Sequence, residues 1–267
     1  MKDIQIGIIG GTGGIGRWFA GFFVREGYTV HVSGRSTGMD VRKMADICQV
    51  VIVSVPIGVT GEVIEKVGPC MKEESLLMDL TSLKEEPVRA MAKFSASEVI
   101  GCHPLFGPHV DSIAGHRVVL CPERTERWLA WLRAILEKNG AFVVETTPAK
   151  HDAMMSIVQG LNHLNTITMG AVLGKTGVSL SEVSRFATPV FQTKIGILEK
   201  VFAHNPGLYA EIVTMNPNIG RILDLYEKTL SELRDLIRQR EAGRLTEMME
   251  EYAKALWPPD QNISRKS

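Results

Sequence analysis

The sequence predicts an α/β protein in which a doubly wound, mostly parallel sheet is followed by an all-helical domain. Three observations carry that prediction. The first half alternates short runs rich in Val, Ile and Leu with helical stretches. Those runs are close to continuously apolar, the mark of strands covered by helices on both faces. After about Pro148 strand-like runs stop, and helical periodicity takes over up to Leu256.

Strands are expected at residues 4–9, 29–33, 50–55, 76–80, 99–102, 117–120 and 142–145, and helices at 14–26, 59–67, 85–93 and 126–139. Gly27 and Gly140 sit where a left-handed residue ends a helix. The segment 157–173 is apolar nearly all round, so its helix needs more than one neighbour to bury it, and a dimer interface would provide one. The residues after Trp257-Pro258-Pro259 read as a frayed tail.

The string Gly11-Thr12-Gly13-Gly14-Ile15-Gly16 follows the first strand and opens the first helix. Gly11, Gly13 and Gly16 fit G-x-G-x-x-G. The first glycine permits a tight turn, the second lets a pyrophosphate approach the backbone, and the third allows close helix–strand packing. The phosphates would rest on free N–H groups at the helix start. Trp18, Phe19, Phe22 and Phe23 give that helix an apolar inner side. The context is that of a Rossmann-type dinucleotide site, with Val55 and Pro56 at the end of the third strand as further cofactor contacts. Where an NAD-selective site carries an acidic residue after the second strand, this chain has Gly34-Arg35-Ser36-Thr37. A cation and two hydroxyls suit a 2′-phosphate, so NADP is expected over NAD. Residues 1–149 are read as the dinucleotide-binding domain and 150–267 as a helical domain for substrate and dimerisation.

The bulk numbers exclude other classes. With 30 basic and 30 acidic residues the chain of 267 has no net field to attract nucleic acid or an anionic membrane. No apolar run reaches the ~18 residues a membrane span needs. The first strand starts at once, leaving no room for a signal peptide, so a cytoplasmic protein is expected. Cys48, Cys70, Cys102 and Cys121 lie far apart without metal-ligand spacing, so they are expected as reduced thiols, with no metal site.

Polar clusters close the middle strands, where an open α/β sheet holds its ligands. One is Asp79-Leu80-Thr81-Ser82-Leu83-Lys84, and the other is Gly101-Cys102-His103-Pro104-Leu105-Phe106-Gly107-Pro108. A histidine just past a buried strand, held between prolines, has few conformations open to it. That suits an imidazole that must accept a proton in fixed orientation.

The string from Gly101 to Pro108 resembles the active-site segment of the prephenate/arogenate dehydrogenase family of tyrosine biosynthesis. His151-Asp152 opening a helix with Gln159 and His163, and the later Phe202-Ala203-His204-Asn205-Pro206-Gly207-Leu208-Tyr209, resemble that family in order. The resemblance implies oxidative decarboxylation of a hydroxylated cyclohexadiene, in a homodimer, without an attached chorismate mutase or regulatory domain. It implies that His103 takes the hydroxyl proton, that Ser82 hydrogen-bonds His103 and the hydroxyl, and that His163 and Gln159 face the substrate. His151-Asp152 reads mainly as a helix start, with Asp152 favourable to the dipole. One departure stands out. An arginine of the family that grips substrate carboxylate corresponds to Lys200, a point charge without the planar fork. Gln192 takes another position often basic in the family, so Lys194, Arg185 or Arg221 are alternative cations. Two other readings remain: another NADP-linked two-domain dehydrogenase acting on a related cyclic acid, and a non-catalytic dinucleotide sensor.

Overall fold

The structure, a computed structural model, describes residues 4–34 and 39–258. Arg35, Ser36 and Thr37, expected at a 2′-phosphate, lie outside the described residues, as does the tail beyond Pro258. By compactness the chain divides into two units, one ending at Ile219 and the other beginning at Gly220.

The first unit is built on a seven-stranded sheet: β1 (Gln5–Ile9), β2 (Thr29–Ser33), β3 (Val50–Val53), β4 (Leu76–Asp79), β5 (Glu98–Pro104), β6 (Arg117–Arg124) and β7 (Phe142–Glu145). Their spatial order is β2-β1-β3-β4-β5-β6-β7. Every neighbouring pair is parallel except β5 with β6. All seven expected strands are present. β5 runs longer than expected, and the difference matters below.

The apolar runs produce the sheet in the way the pattern implied. All four residues of β3 and all four of β4 are buried. Alternate residues feed two separate cores: Val50, Ile52, Leu76 and Met78 on one face, Val51, Val53 and Leu77 on the other. α1 (Gly14–Arg25) and α5 (Trp128–Lys138) cover the first face with Phe19, Phe23, Trp128 and Leu132. α2 (Val41–Ile47), α3 (Ile57–Val67) and α4 (Glu85–Phe94) cover the second with Met44, Ile64, Val67 and Met91. α2 was not foreseen. It spans under two turns, too short for its period to register, and begins where the Asp40 side chain accepts the N–H of Arg42 at 3.0 Å. Gly27 and Gly140 adopt φ of 88° and 84°, the left-handed stops expected of them.

β1 pairs with β2 on one side and β3 on the other, so the winding reverses between β1 and β3. That reversal opens a crevice at the carboxyl ends of the strands, where open α/β sheets bind ligands.

The helical part of this unit runs through α6 (Pro148–Met155), α7 (Asn162–Lys175), α8 (Leu180–Ser184), α9 (Pro189–Glu199) and α10 (Pro206–Met215). π-helical segments, Ser156–Leu161 and Lys200–His204, join α6 to α7 and α9 to α10. The burial expected over 157–173 is not found within the single chain. Ile157, Val158 and Val172 are each about half exposed.

The second unit is formed by α11 (Ile219–Gln239) and α12 (Ala242–Leu256). α11 ends in a left-handed residue, Arg240, at φ 57°. The N–H of Glu241 donates to Leu236 O at 3.0 Å and that of Arg240 to Ile237 O at 3.2 Å, the Schellman pattern with arginine in place of glycine. Among the described residues no helix is long and apolar enough to cross a membrane.

Candidate active site

The glycine-rich turn joins β1 to α1 at the crevice. Its left-handed residue is Gly10, at φ 82°, one residue before the first glycine of the motif, and a Cβ on Gly11 would lie 2.8 Å from Val32 Cγ1. Gly10 N–H donates to Ser33 O at 2.8 Å, which ties the turn to the end of β2. Gly16 must lack a side chain, because a Cβ there would lie 2.6 Å from Gly10 O. α1 has no side-chain cap and no acidic residue in its first turn. The N–H groups of Gly14, Ile15 and Gly16 therefore open the helix without intrahelical acceptors, next to the backbone of Gly13. Thr12 is exposed at the tip of the turn and faces Gly34. The Ser54 hydroxyl, just past β3, is buried without a hydrogen-bond partner and lies against Gly16. An uncapped helix start and an orphaned hydroxyl fit the pyrophosphate of a dinucleotide. Val55 is half-buried and Pro56 exposed at the start of α3, on the neighbouring strand end.

The segment after β5 is fastened to this turn. A Cβ on Gly14 would meet Pro108 Cγ at 3.0 Å. Phe106 packs edge-on against Trp18 at 5.1 Å between ring centroids, and Trp18 Nε1 donates to Val110 O at 2.7 Å. The aromatic side of α1 thus holds the strand end carrying His103 beside the glycine-rich turn.

His103 was expected in a loop held by prolines. It lies instead within β5, paired with Val119 of antiparallel β6. A strand ladder fixes its backbone more tightly than a proline-flanked loop would. The residue is 3% exposed. Its Nδ1 stands 2.9 Å from Nε2 of His151, and its Nε2 3.4 Å from Nε2 of Gln159. Burial, then the proximity of His151 and of Lys84, holds the His103 imidazole well below its usual pKa.

The hydrogen bond expected between Ser82 and His103 is not formed. Both ring nitrogens of His103 meet groups of the helical segment, and Ser82, half-buried in the β4–α4 loop, has no hydrogen-bond partner among the described residues. Asp79, Thr81 and Lys84 bond to one another at that strand end, while Asp79 Oδ1 is buried without a partner. Lys84 and Asp79 form a fully buried ion pair, and Lys84 Nζ also donates to Cys102 O at 3.1 Å, one residue before His103.

His151 and Asp152, read as a helix start, are part of the site. Thr147 caps α6 and Pro148 opens it, which brings both residues to the end of the first turn. His151 Nδ1 lies 2.7 Å from Asp152 Oδ1. Asp152 does not serve its own helix. Its Oδ1 accepts the N–H of Lys84 at 2.8 Å and its Oδ2 that of Glu85 at 2.9 Å, capping α4 from outside. Asn216, after α10, donates to the carbonyl of Asp152 at 2.9 Å. Glu211 of α10 makes the matching contact at α3, accepting the N–H of Ile57 at 3.0 Å. Neither acidic cap was anticipated, because the partners lie far apart in sequence.

Gln159 reaches His103 from the π-segment. Eight residues along a regular helix would swing it about 80° from the face of His151. The wider π turn twists less per residue and returns it towards that face. Gln159 Oε1 is buried without a partner. His163 follows at the start of α7, its ring 4.8 Å from that of Tyr209 of α10, and burial lowers its pKa. Lys200 is exposed at the start of the second π-segment and makes no hydrogen bond or ion pair among the described residues. Lys194 and Arg185 are exposed as well. The described contacts thus join His103, His151, Asp152 and Gln159, pair His163 with Tyr209, and leave Ser82 and Lys200 unpartnered.

The four cysteines are free thiols. Burial pushes the thiol of Cys121 up to about 12 and that of Cys48 up to about 11, so neither is a nucleophile near neutral pH.

Comparison with known proteins bears on the family and the fold. Residues 26–145 match the model of the prephenate dehydrogenase nucleotide-binding domain, and residues 147–251 that of its dimerization domain. A protein of Methanocaldococcus jannaschii described as "Probable arogenate/prephenate dehydrogenase" is 36% identical over 94% of this chain, and the Haemophilus influenzae T-protein is 32% identical over 85%. The chain spans 61% and 60% of the length of these two relatives. Among solved structures, prephenate dehydrogenase from A. aeolicus, in complex with hydroxyphenyl propionate and NAD+, superposes with a TM-score of 0.74 at 20% identity, covering 95% of this chain and 97% of that one. Synechocystis arogenate dehydrogenase gives 0.70 at 23%, covering 93% and 97%. These two likenesses concern the fold. With both family models matched in order along the sheet and the helices, the chain belongs to the prephenate dehydrogenase family.

Proposed function

We propose that this protein catalyses the NAD(P)-dependent oxidative decarboxylation of prephenate or arogenate to 4-hydroxyphenylpyruvate or tyrosine, with NADP the preferred acceptor. The observation that carries the reading is His103: a buried imidazole, held by burial well below its usual pKa, on the strand end beside the glycine-rich turn, with Nε2 in a long contact with Gln159.

In this reading Thr12, Gly13, Gly14, Ile15 and Gly16 cradle the pyrophosphate, with Gly11 behind them and Val55 and Pro56 along the crevice. Gly34, Arg35, Ser36 and Thr37 take the adenosine ribose and its 2′-phosphate. A bound nicotinamide supplies the hydride acceptor. The chain's own residues do the rest. The substrate hydroxyl displaces the Gln159 amide from His103 and gives its proton to Nε2. Ser82 hydrogen-bonds the same hydroxyl. His163 and Gln159 line the ring, and Lys200 attracts a carboxylate. Loss of CO2 leaves an aromatic ring, so the protein need chiefly hold the reacting carbon in place and remove one proton.

Residues 1–149 serve the cofactor and 150–267 the substrate and a second copy of the chain. The half-exposed Ile157, Val158 and Val172, with Phe186 at 82% exposure, support a homodimer through the helical part, as does the match of residues 147–251 to a dimerization domain.

The test is NADPH formation with prephenate and with arogenate. Turnover of either is expected, with His103→Asn about 10²–10⁴-fold slower in kcat. No turnover with either substrate overturns the assignment. Fluorimetric titration with each cofactor decides the rest, and tighter binding of NAD than NADP overturns the NADP preference.

A further inference from the structure

We propose that His151 and Asp152 are positioning residues that hold His103 in the tautomer protonated on Nδ1, leaving its Nε2 lone pair towards the substrate. The inference deepens the proton-acceptor reading of His103 and rests on it.

A chain of hydrogen bonds runs inward from the start of α4. Two backbone N–H groups, of Lys84 and Glu85, point at the Asp152 carboxylate at 2.8 and 2.9 Å. Backbone amides cannot reverse their polarity, so both carboxylate oxygens are committed as acceptors. A helix N-terminus also favours negative charge there. His151 Nδ1, 2.7 Å from Oδ1, must therefore donate. A neutral imidazole that donates from Nδ1 has its lone pair on Nε2. His103 Nδ1, 2.9 Å from that lone pair, must donate in turn. Nε2 of His103 is then bare, and the Gln159 amide donates to it across 3.4 Å. One fixed backbone polarity is passed through two rings to the reacting nitrogen.

The same chain serves the charged state. When His103 takes a proton on Nε2, its Nδ1–H already points at His151, whose own N–H points at a carboxylate. The new positive charge faces two aligned dipoles and an anion, and nothing has to reorient. All three residues are at most 3% exposed, so water does not compete for these bonds. The arrangement couples the architecture to the chemistry, because the carboxylate that caps α4 also orients the base.

The experiment is 15N-histidine NMR of the full chain without substrate, beside steady-state kinetics. The wild type is expected to show His103 protonated on Nδ1 and bare on Nε2. His151→Leu removes the acceptor and should shift His103 towards the Nε2–H form, with kcat falling about 10²-fold and KM for the cyclohexadiene acid changing less than about threefold. His151→Gln keeps an acceptor oxygen on that side and should restore the Nδ1–H signal in large part. Should His151→Leu fail to fold, the wild-type and His151→Gln spectra decide. An Nε2–H His103 in the wild type overturns the proposal, as does an unchanged tautomer in folded His151→Leu. The spectrum needs no turnover. An Nδ1–H His103 in a protein inert towards prephenate and arogenate would leave this inference standing and remove the catalytic reading alone.

Discussion

Glu211 accepts the backbone N–H of Ile57 at 3.0 Å across 154 residues of sequence. A carboxylate of α10 thereby caps α3, as Asp152 of α6 caps α4. Two helices of the sheet layer begin at the ligand edge, and each is closed by an acidic residue from the helical segment. Glu211→Ala should cost about 1 kcal/mol, the ordinary loss for a removed cap. Urea unfolding checks this, and an unchanged midpoint would mean that the contact contributes nothing net.

The state of His103 sets a pH dependence whose sign is determined. Burial keeps the folded imidazole neutral well below its usual pKa, while the unfolded chain takes up the proton near pH 6.5. Between those two values the unfolded state binds more protons. Stability is therefore full above about pH 6.5 and falls as pH is lowered, by up to about 1.4 kcal/mol per pH unit. His103→Asn should flatten that acid slope in a pH series of denaturation midpoints. In the active enzyme the acid limb of kcat/KM should lie below about pH 6.5, and a limb at or above that value would speak against His103 as the base.

Gly16→Ala tests the nucleotide turn. The added methyl would sit 2.6 Å from Gly10 O, against backbone that cannot swing aside. A stability loss of about 1–3 kcal/mol is expected, with weaker dinucleotide binding by titration. Binding and stability both at wild-type level would show that the turn can widen freely.

Lys200→Arg tests the departure from the family pattern. If Lys200 meets a substrate carboxylate, the planar fork should lower KM severalfold at similar kcat. No change in KM would move that contact to another cation, with Lys194 and Arg185 the next to substitute.

Arg240 pays for its left-handed φ of 57° without the relief glycine would bring. Arg240→Gly keeps the Schellman bonds and should stabilise the chain by roughly 1 kcal/mol. Thermal unfolding checks the sign.

Much of this was legible in the sequence. Apolar runs at 50–55 and 76–80 announced buried parallel strands, because a strand covered on both faces has no polar side to show. The glycine string announced a phosphate turn, although the residue that bends it is Gly10. His103 was singled out by its position, but the reason offered, a rigid loop, gave way to pairing with Val119 in β6. Ser82 was assigned a bond that His151 and Gln159 occupy. In the sequence His151 and Asp152 read as no more than a helix start, since a His-Asp pair there has a sufficient local explanation.

By itself, then, the sequence determined the seven strands, most of the helices between them, the glycine turn and the histidine at the ligand edge. Each follows from short-range chemistry: the period of apolar residues, the need for a bare Cα, the polarity of a strand end. Only the tertiary structure decided what that histidine touches. His103 meets His151 across 48 residues, and Asp152 meets Lys84 across 68. Those contacts depend on where two carboxylates seat the helical segment against the sheet, as the reach of Gln159 depends on a π-segment that re-phases its helix. Side chains brought together over such separations leave no periodic trace, because the rule that joins them is the packing of whole elements.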